Sequence, residues 1–377
     1  MKIVEVKTKQ QQRAFLKMPR RIYQDYPLWV RNLDGELNAI FNPAVNPFFK
    51  HGELCRWLLY SDTGEAIGRV AAFIDHEKAS SYPVPSGGIG YFECIQDQAA
   101  AHLLFDTCMV WLLDRGMQGM IGPINFGENN QYWGLLVKAF DRMPYYGTQY
   151  HPEWYQELFT SYGFEVHFEQ LSYRFELESS ALSERIMKLA AYAAKRQGFT
   201  FEAFDPEQQD RFVDAFVTIY NEAFNFLDNF SPIDPEVVLK DFGKLKPIIS
   251  NEAIIFAFQG KKPVGFIVSI PDINPIVQKM RGNSKLLGKL IFLWNRRKGM
   301  LDRLRIAHFG VVEDMQRKGV EAGLATAMYQ FLVSQDKYKE IELSWIGSFN
   351  PKMIKFMESL GAPPYKKHWT MIKKFDI

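Results

Sequence analysis

Val311-Val312-Glu313-Asp314-Met315-Gln316-Arg317-Lys318-Gly319-Val320-Glu321-Ala322-Gly323-Leu324 decides the reading of the chain. It reads as the end of a strand, a polar and basic turn, and a helix that opens at Gly319. The helix presents an apolar face through Val320, Leu324, Met328 and Phe331. The first N–H groups of a helix have no internal partner and carry partial positive charge, so they attract phosphate. Arg317 and Lys318 add charge beside them, and Gly319 lets the backbone approach a ligand closely.

Outward from this turn the elements follow a definite order. Periodicity predicts a strand at Leu304–Val312 before it. After it come a strand at Ile341–Ile346, a helix at Pro351–Leu360 stopped by Gly361, and a last strand at Trp369–Phe375. Upstream lie a strand at Phe199–Phe204, helices at Pro206–Phe224 and Pro235–Leu245, and strands at Ala253–Phe258 and Val264–Ile270. The first half follows the same plan. Strands at Leu54–Tyr60, Ala66–Asp75 and Gly88–Ile95 precede a helix at Gln98–Arg115, a strand at Gly119–Ile124, a helix at Pro152–Tyr162 and a strand at Val166–Leu177. Sliding the chain by 198 residues sets Gly361 on Gly163, Met357 on Phe159 and Ser359 on Ser161. The seam falls near Glu178–Ser183, giving an N-terminal domain over 1–178 and a C-terminal domain over 179–377.

Composition bounds the function classes. At 47% hydrophobic and 15% aromatic residues the chain has ample material for a core, which excludes a disordered protein. Lys+Arg 45 against Asp+Glu 43 leaves a net +2, so no overall field favours nucleic acid or anionic lipid. No apolar run approaches the ~20 residues of a membrane helix, and MKIVEVKTKQQQR lacks the apolar core of a signal peptide. Three scattered cysteines without CxxC spacing indicate a reducing, cytoplasmic setting. The seven histidines show no metal-ligand spacing, and no metal is expected. No Gly-x-Ser-x-Gly elbow is present, so covalent catalysis has no support.

The turn Gln316-x-x-Gly319-x-Glu321 resembles the acyl-CoA loop of the GNAT acetyltransferase superfamily, whose pattern is Gln/Arg-x-x-Gly-x-Gly/Ala after a strand. Asn350 resembles the asparagine that opens the family's following helix, and Gly361-Ala362 its closing Gly-Phe. The order of elements carries the likeness across nearly the whole chain. Asn46-Pro47-Phe48-Phe49, Ile67-Gly68-Arg69-Val70-Ala71-Ala72, Gly90-Tyr91-Phe92-Glu93 and Gly122-Pro123-Ile124-Asn125-Phe126 resemble a bacterial group of double-GNAT proteins. The resemblance implies an α+β fold of two tandem domains, each a mixed, mostly antiparallel sheet flanked by helices. It implies acyl transfer, acetyl transfer first of all, from acetyl-CoA or another acyl-CoA as co-substrate to a small-molecule amine or amino-acid-like acceptor. Val311 and Val312 would orient the pantetheine through their backbone groups. Gln316, Arg317, Lys318, Gly319 and Val320 would hold the pyrophosphate, and Asn350 would position the CoA arm. His308, or a water, would take the amine proton, since imidazole titrates near neutral pH.

The departures are specific. Glu321 stands where the family has Gly or Ala, and Met357 and Phe159 stand where many members have a tyrosine acid. The first half, Glu93-Cys94-Ile95-Gln96-Asp97-Gln98-Ala99-Ala100, has no loop glycine or basic residue, so CoA is expected only in the second half. These departures keep a non-catalytic ligand-binding protein open as an alternative. A Fem-type aminoacyl transferase is a third class, without the family's paired-helix arm here. Candidate acceptor residues are Asn129, Asn130 and Tyr132 in a polar–aromatic loop, and Tyr220 and Asn221 at a helix end. Residues 278–305 carry nine basic side chains and one acid around Leu286-Leu287-Gly288-Lys289-Leu290-Ile291-Phe292-Leu293-Trp294. The expected arrangement docks the Leu, Phe and Trp side chains on the domain and leaves the charges solvated, with no membrane or nucleic-acid partner. A membrane-surface helix is the alternative.

Overall fold

A computed structural model describes residues 1–128, 131–177, 182, 184–225, 232–245 and 248–376. The first half contains strands β1 (Lys2–Glu5), β2 (Gly52–Tyr60), β3 (Ala66–Asp75), β4 (Ser86–Cys94), β5 (Gly119–Gly122), β6 (Leu135–Lys138) and β7 (Glu165–Glu176). Its helices are α1 (Lys9–Lys17), α2 (Pro19–Ile22), α3 (Asp34–Ile40), α4 (Gln98–Leu113) and α5 (Tyr155–Ser161). The second half contains β8 (Phe199–Ala203), β9 (Ile254–Gln259), β10 (Lys262–Pro271), β11 (Arg303–Val311), β12 (Glu340–Gly347) and β13 (Pro364–Lys374). Its helices are α6 (Glu184–Gln197), α7 (Gln209–Ala223), α8 (Pro235–Leu245), α9 (Asn274–Met280), α10 (Leu286–Arg297), α11 (Val320–Gln335) and α12 (Pro351–Ser359). Several start at side-chain caps: Asp97 accepts the Ala100 N–H at α4, and Asn350 the Met353 N–H at α12.

The fold is α+β, but the two halves do not keep separate sheets. One hydrogen-bonded path runs β1-β2-β3-β4-β5-β13-β7-β12-β11-β10-β9-β8, with β6 on β13. The last strands are exchanged. β13 lies antiparallel to β5, with Ile372 opposite Ile121, and β7 lies antiparallel to β12, with Ile341 opposite Phe175. The two exchanged strands pair with each other. Burial supports this centre: Glu342 on β12 and Lys366 on β13 form an ion pair at 2.9 Å, with both side chains almost fully buried.

Each half keeps its own core. Phe92 stacks on Phe105 at 4.7 Å in the first, and Phe216 on Phe266 at 4.6 Å in the second. Burying one such ring contributes about 2–3 kcal/mol. In the second half the sheet is covered on both faces. A Cβ at Gly265 would meet Val320 and Leu324 of α11, whereas the next residue, Phe266, stacks on Phe216 of α7. Successive strand residues point to opposite faces, so α11 and α7 lie on opposite sides.

The repeat offset is not uniform. It is 196 residues from Ala66 to Lys262, 217 from Ser86 to Arg303, and 198 from Ser161 to Ser359. An insertion carrying α9 and α10 precedes β11. A compensating one of similar length, carrying β6 and the polar–aromatic loop, follows β5. The two insertions meet. The Tyr146 N–H donates to Asp272 at 2.8 Å, the Asn274 side chain donates to the Pro144 carbonyl at 2.7 Å, and Met143 and Tyr146 pack on Ile276, Val277 and Met280.

The docking expected for residues 286–294 holds only in part. Ile291 and Phe292 pack on that small core, but Leu286, Leu287, Leu290, Leu293 and Trp294 are exposed. At 3.6 residues per turn, a helix this short turns only one stripe inward, and Gly288, Ile291, Phe292 and Asn295 fill it.

Candidate functional site

The site begins at a bulge. On β10 the neighbours Val268 and Ser269 pair with His308 and Ile306, so Ala307 is the extra residue of β11. The parallel ladder between β11 and β12 stops at the same level, at Ile306 opposite Leu343. Beyond it β12 continues against β7 while β11 runs on to Val311 with β10 alone. The two strands therefore splay, and the edge of β11 over residues 307–311 faces an opening.

A cleft of about 1080 Å³ occupies this opening. Phe309, Gly310 and Val311 form its floor, the turn Gln316–Gly319 one end, and α6 and α12 its walls. Ala223 and Phe224, at the end of α7, also line it, so the cleft reaches from the α11 face of the sheet to the α7 face. The lining is mixed: Leu189, Tyr192, Phe349, Met353, Phe356 and Leu360 sit beside Arg196, Lys318, Lys352 and Lys355.

The sequence-predicted residues are only partly brought together. Val311, Gln316, Arg317, Lys318, Gly319 and Asn350 all line the cleft. Val312 and Val320 instead put fully buried side chains into the core. The Val312 N–H already donates to the Val264 carbonyl at 3.0 Å, which corrects the expectation that it orients a ligand. The Gln316 side chain donates to the Val311 carbonyl at 3.2 Å and accepts Lys352 at 3.1 Å, tying the turn to β11 and α12. Asn350 uses its carbonyl oxygen as the cap of α12.

Gly319 is left-handed, with φ of +98°, and a Cβ there would come within 2.4 Å of the Ala193 Cβ of α6. Close packing of α6, as well as φ, thus calls for glycine. Glu321 reaches back and accepts the Arg317 N–H at 2.9 Å. The carboxylate occupies one of the donors that an anion at this turn would use.

His308 lies on the α7 face, edge-on to Phe216 and Tyr220 with centroids 5.9 Å apart in each case, and is not among the cleft-lining residues. Burial raises the Tyr220 hydroxyl pKa, and the nearby Glu128 carboxylate adds to the shift. Asn129 and Asn130 of the polar–aromatic loop lie outside the described residues. Two expected acceptor residues do not line the cleft. The Asn221 amide is clamped on Ile233, accepting its N–H at 2.9 Å and donating to its carbonyl at 3.4 Å. Tyr132 lines a separate cavity of about 50 Å³, between first-half residues and Asn274 and Val277 of the second-half insertion.

That small cavity is what remains of the equivalent opening. β4 and β5 pair only from Ser86–Gly119 to Gly88–Ile121, so they splay as well. Here the chain after β5 folds back into the gap. The Ile124 N–H donates to the Ile89 carbonyl at 2.8 Å, and a Cβ on Gly90 would lie 1.9 Å from the Ile124 carbonyl oxygen. The first half has the bulge and the splay, and beyond the closed gap a second cavity of about 500 Å³ is lined by Tyr26, Ile95, Gln96 and Trp154.

Two features went unread in the sequence. One is α6, whose Ile186, Ala190, Ala193 and Ala194 repeat at helical spacing. The other is the meeting of His51 with Asp75 at 2.7 Å and Glu77 at 3.9 Å, which only the β2–β3 register produces. Met357 is buried, and so is Phe159.

The comparisons with known proteins agree with this architecture. The glucosamine N-acetyltransferase region of a fungal multi-domain β-N-acetylglucosaminidase superposes with a TM-score of 0.57 at 11% identity, over 99% of this chain and 38% of that one. A tandem GNAT protein from the clavulanic acid biosynthesis pathway superposes with a TM-score of 0.55 at 8% identity, over 99% of this chain and 98% of that one. The chain has the tandem GNAT fold. Two curated proteins resemble it along most of their length. Protein YghO of Escherichia coli (strain K12) is 24% identical over 94% of this chain and 91% of its own. A bacterial ceramide synthase of Caulobacter vibrioides (strain NA1000 / CB15N) is 25% identical over 98% and 96%. No family model matches the chain. Among the described residues, the cleft of about 1080 Å³ lies in the second half.

Proposed function

We propose that the protein transfers an acyl group longer than acetyl from acyl-CoA to an amine, and that the second-half cleft is where it does so. The observation that carries this reading is the splay of β11 from β12 beneath the Gln316–Gly319 turn, with a space of about 1080 Å³ around it whose walls are partly apolar. A two-carbon acyl group needs little of that volume. Leu189, Tyr192, Phe349, Met353, Phe356 and Leu360 supply walls suited to an alkyl chain. The relative named ceramide synthase supports an N-acylation in which lipid-like partners take part.

In this reading the nucleotide end of CoA lies at the turn, where Arg317 and Lys318 face phosphate. The free edge of β11 from Phe309 to Val311 offers backbone groups to the pantetheine and the thioester carbonyl. The amine approaches from the α7 face, beside Tyr220 and His308. The C–N bond forms as the C–S bond breaks. The amine's proton passes to His308 or a water, and the thiolate leaves to be protonated by solvent, since Met357 cannot donate. Holding two substrates on opposite faces of one opening supplies the catalytic advantage through positioning.

The test is thiol release from acyl-CoAs of increasing chain length in the presence of single amines. Release that rises from acetyl-CoA to palmitoyl-CoA is the expected result. Release from acetyl-CoA alone would refute the long-chain assignment, and binding without release for any acyl-CoA would favour the non-catalytic reading that Glu321 and Met357 keep open.

A further inference from the structure

We propose that helix α10 and its basic flanks dock this protein onto the surface of an anionic membrane. The helix is held with one side in and one side out. Gly288, Ile291, Phe292 and Asn295 face the protein. The preceding helix α9 and its turn are tied to the first half, where the Arg31 guanidinium donates to the Arg281 carbonyl at 2.8 Å and the Gln278 amide donates to the Pro27 carbonyl at 2.7 Å, and α10 packs close on that turn, since a Cβ on Gly288 would lie 1.9 Å from the Asn283 carbonyl oxygen.

The outward side is apolar. Leu286 is 73% exposed, Leu287 60%, Leu290 56%, Leu293 51% and Trp294 63%. At about 100° per residue these five project from the half of the helix opposite Gly288 and Asn295. Lys285, Lys289 and Arg296 lie along one flank and Lys298 along the other, with Arg297 in the last turn. Lys298 stands over the Trp294 ring at 5.1 Å. From Asn274 to Leu301 there are seven Lys and Arg and no Asp or Glu, in a chain whose total charge is +2.

A solvated helix turns charge outward, and a packed one turns apolar residues inward. This helix puts apolar residues outermost with cations at the rim, the arrangement that inserts side chains among acyl chains while the ammonium and guanidinium groups meet lipid phosphates. A second copy of the chain would bring the same cations against each other, which like-charge repulsion opposes. A nucleic acid would leave the five outermost side chains without an apolar partner. The inference does not depend on the reaction proposed above, because neither the cleft nor its turn contributes a residue to this face.

The experiment is co-sedimentation of the full chain with vesicles of equal parts phosphatidylglycerol and phosphatidylcholine, and with phosphatidylcholine alone. The protein is expected to partition onto the anionic vesicles, and each Lys or Arg changed to Gln on the rim is expected to weaken it about fivefold. The double variant Leu290→Glu, Trp294→Glu is expected to lose at least about tenfold. Both side chains are exposed, so circular dichroism is expected to show an unchanged fold. Three results would overturn the proposal: no partitioning of the folded protein, equal partitioning of the double variant, or a dimer in gel filtration that Leu290→Glu converts to a monomer.

Discussion

Among the described residues, Glu321 is the acidic side chain placed against the proposed phosphate site by a defined hydrogen bond, and removing its charge is the sharpest perturbation available. Its carboxylate oxygen sits 2.9 Å from the Arg317 nitrogen. A phosphate oxygen sharing that N–H would lie about 4 Å from the carboxylate. The repulsion is about 1 kcal/mol in water and about 4 kcal/mol at an effective dielectric near 20. Glu321 is half-buried beside an open cleft, so the value falls toward the lower end, about 1–2 kcal/mol. Glu321→Gln keeps the shape and an oxygen that can accept the Arg317 N–H. It is expected to tighten CoA binding about 5- to 30-fold in calorimetry, and the gain is expected to shrink as salt screens the wild-type repulsion. A carboxylate in the first helical turn also stabilises α11 by about 0.3–1 kcal/mol, so the same variant is expected to melt slightly earlier. CoA binding that weakens or stays unchanged would refute the reasoning. It would mean that the carboxylate shapes the turn for its ligand rather than opposing it.

Three further outcomes follow from the packing. Gly319→Ala combines a φ of +98° with a 2.4 Å approach to Ala193, and is expected to cost about 1–3 kcal/mol in urea unfolding and to expose α6 to protease. Lys366→Met leaves Glu342 buried without its ammonium partner and is expected to cost about 3–5 kcal/mol, whereas the double variant Lys366→Met, Glu342→Leu is expected to recover most of it. Burial pushes the His151 pKa down to about 3, with the His368 charge adding to the shift, and burial pushes His368 to about 4, against the Gln149 carbonyl and with Lys366. Protonation therefore favours the unfolded chain, whose histidines titrate near about 6.5. Stability is expected to be intact above that pH and to fall toward about pH 4 by about 1 kcal/mol per unit per histidine. Urea unfolding at pH 7 and pH 5 checks this. His151→Gln, which can still accept the Leu136 N–H, is expected to flatten the slope.

The sequence was most legible where one residue type served one local need. Gly319 and the basic pair before it marked the turn, Asn350 marked the start of α12, and the strand order marked a duplicated fold. What depended on distant partners could not be read. The exchange of β7 and β13 is set by pairings such as Ile372 with Ile121, which no local pattern encodes. Asn221 had a suitable side chain for a ligand, but Ile233 takes it up, and Tyr132 lines a separate cavity away from the cleft. The closure of the first-half opening hinges on Ile124 returning to Gly90, a contact that the Gly122-Pro123-Ile124 motif does not announce. The alanines of α6 read weakly because they are small, and they are small because α6 lies close against α11 and Gly319.

The most direct test is a structure of the protein with CoA bound. The account predicts the pyrophosphate at the Gln316–Gly319 turn and the pantetheine along Phe309–Val311, between β11 and β12, with the first-half opening still closed by Ile124. CoA bound between β4 and β5, or saturating CoA that leaves the second-half cleft unchanged, would contradict it.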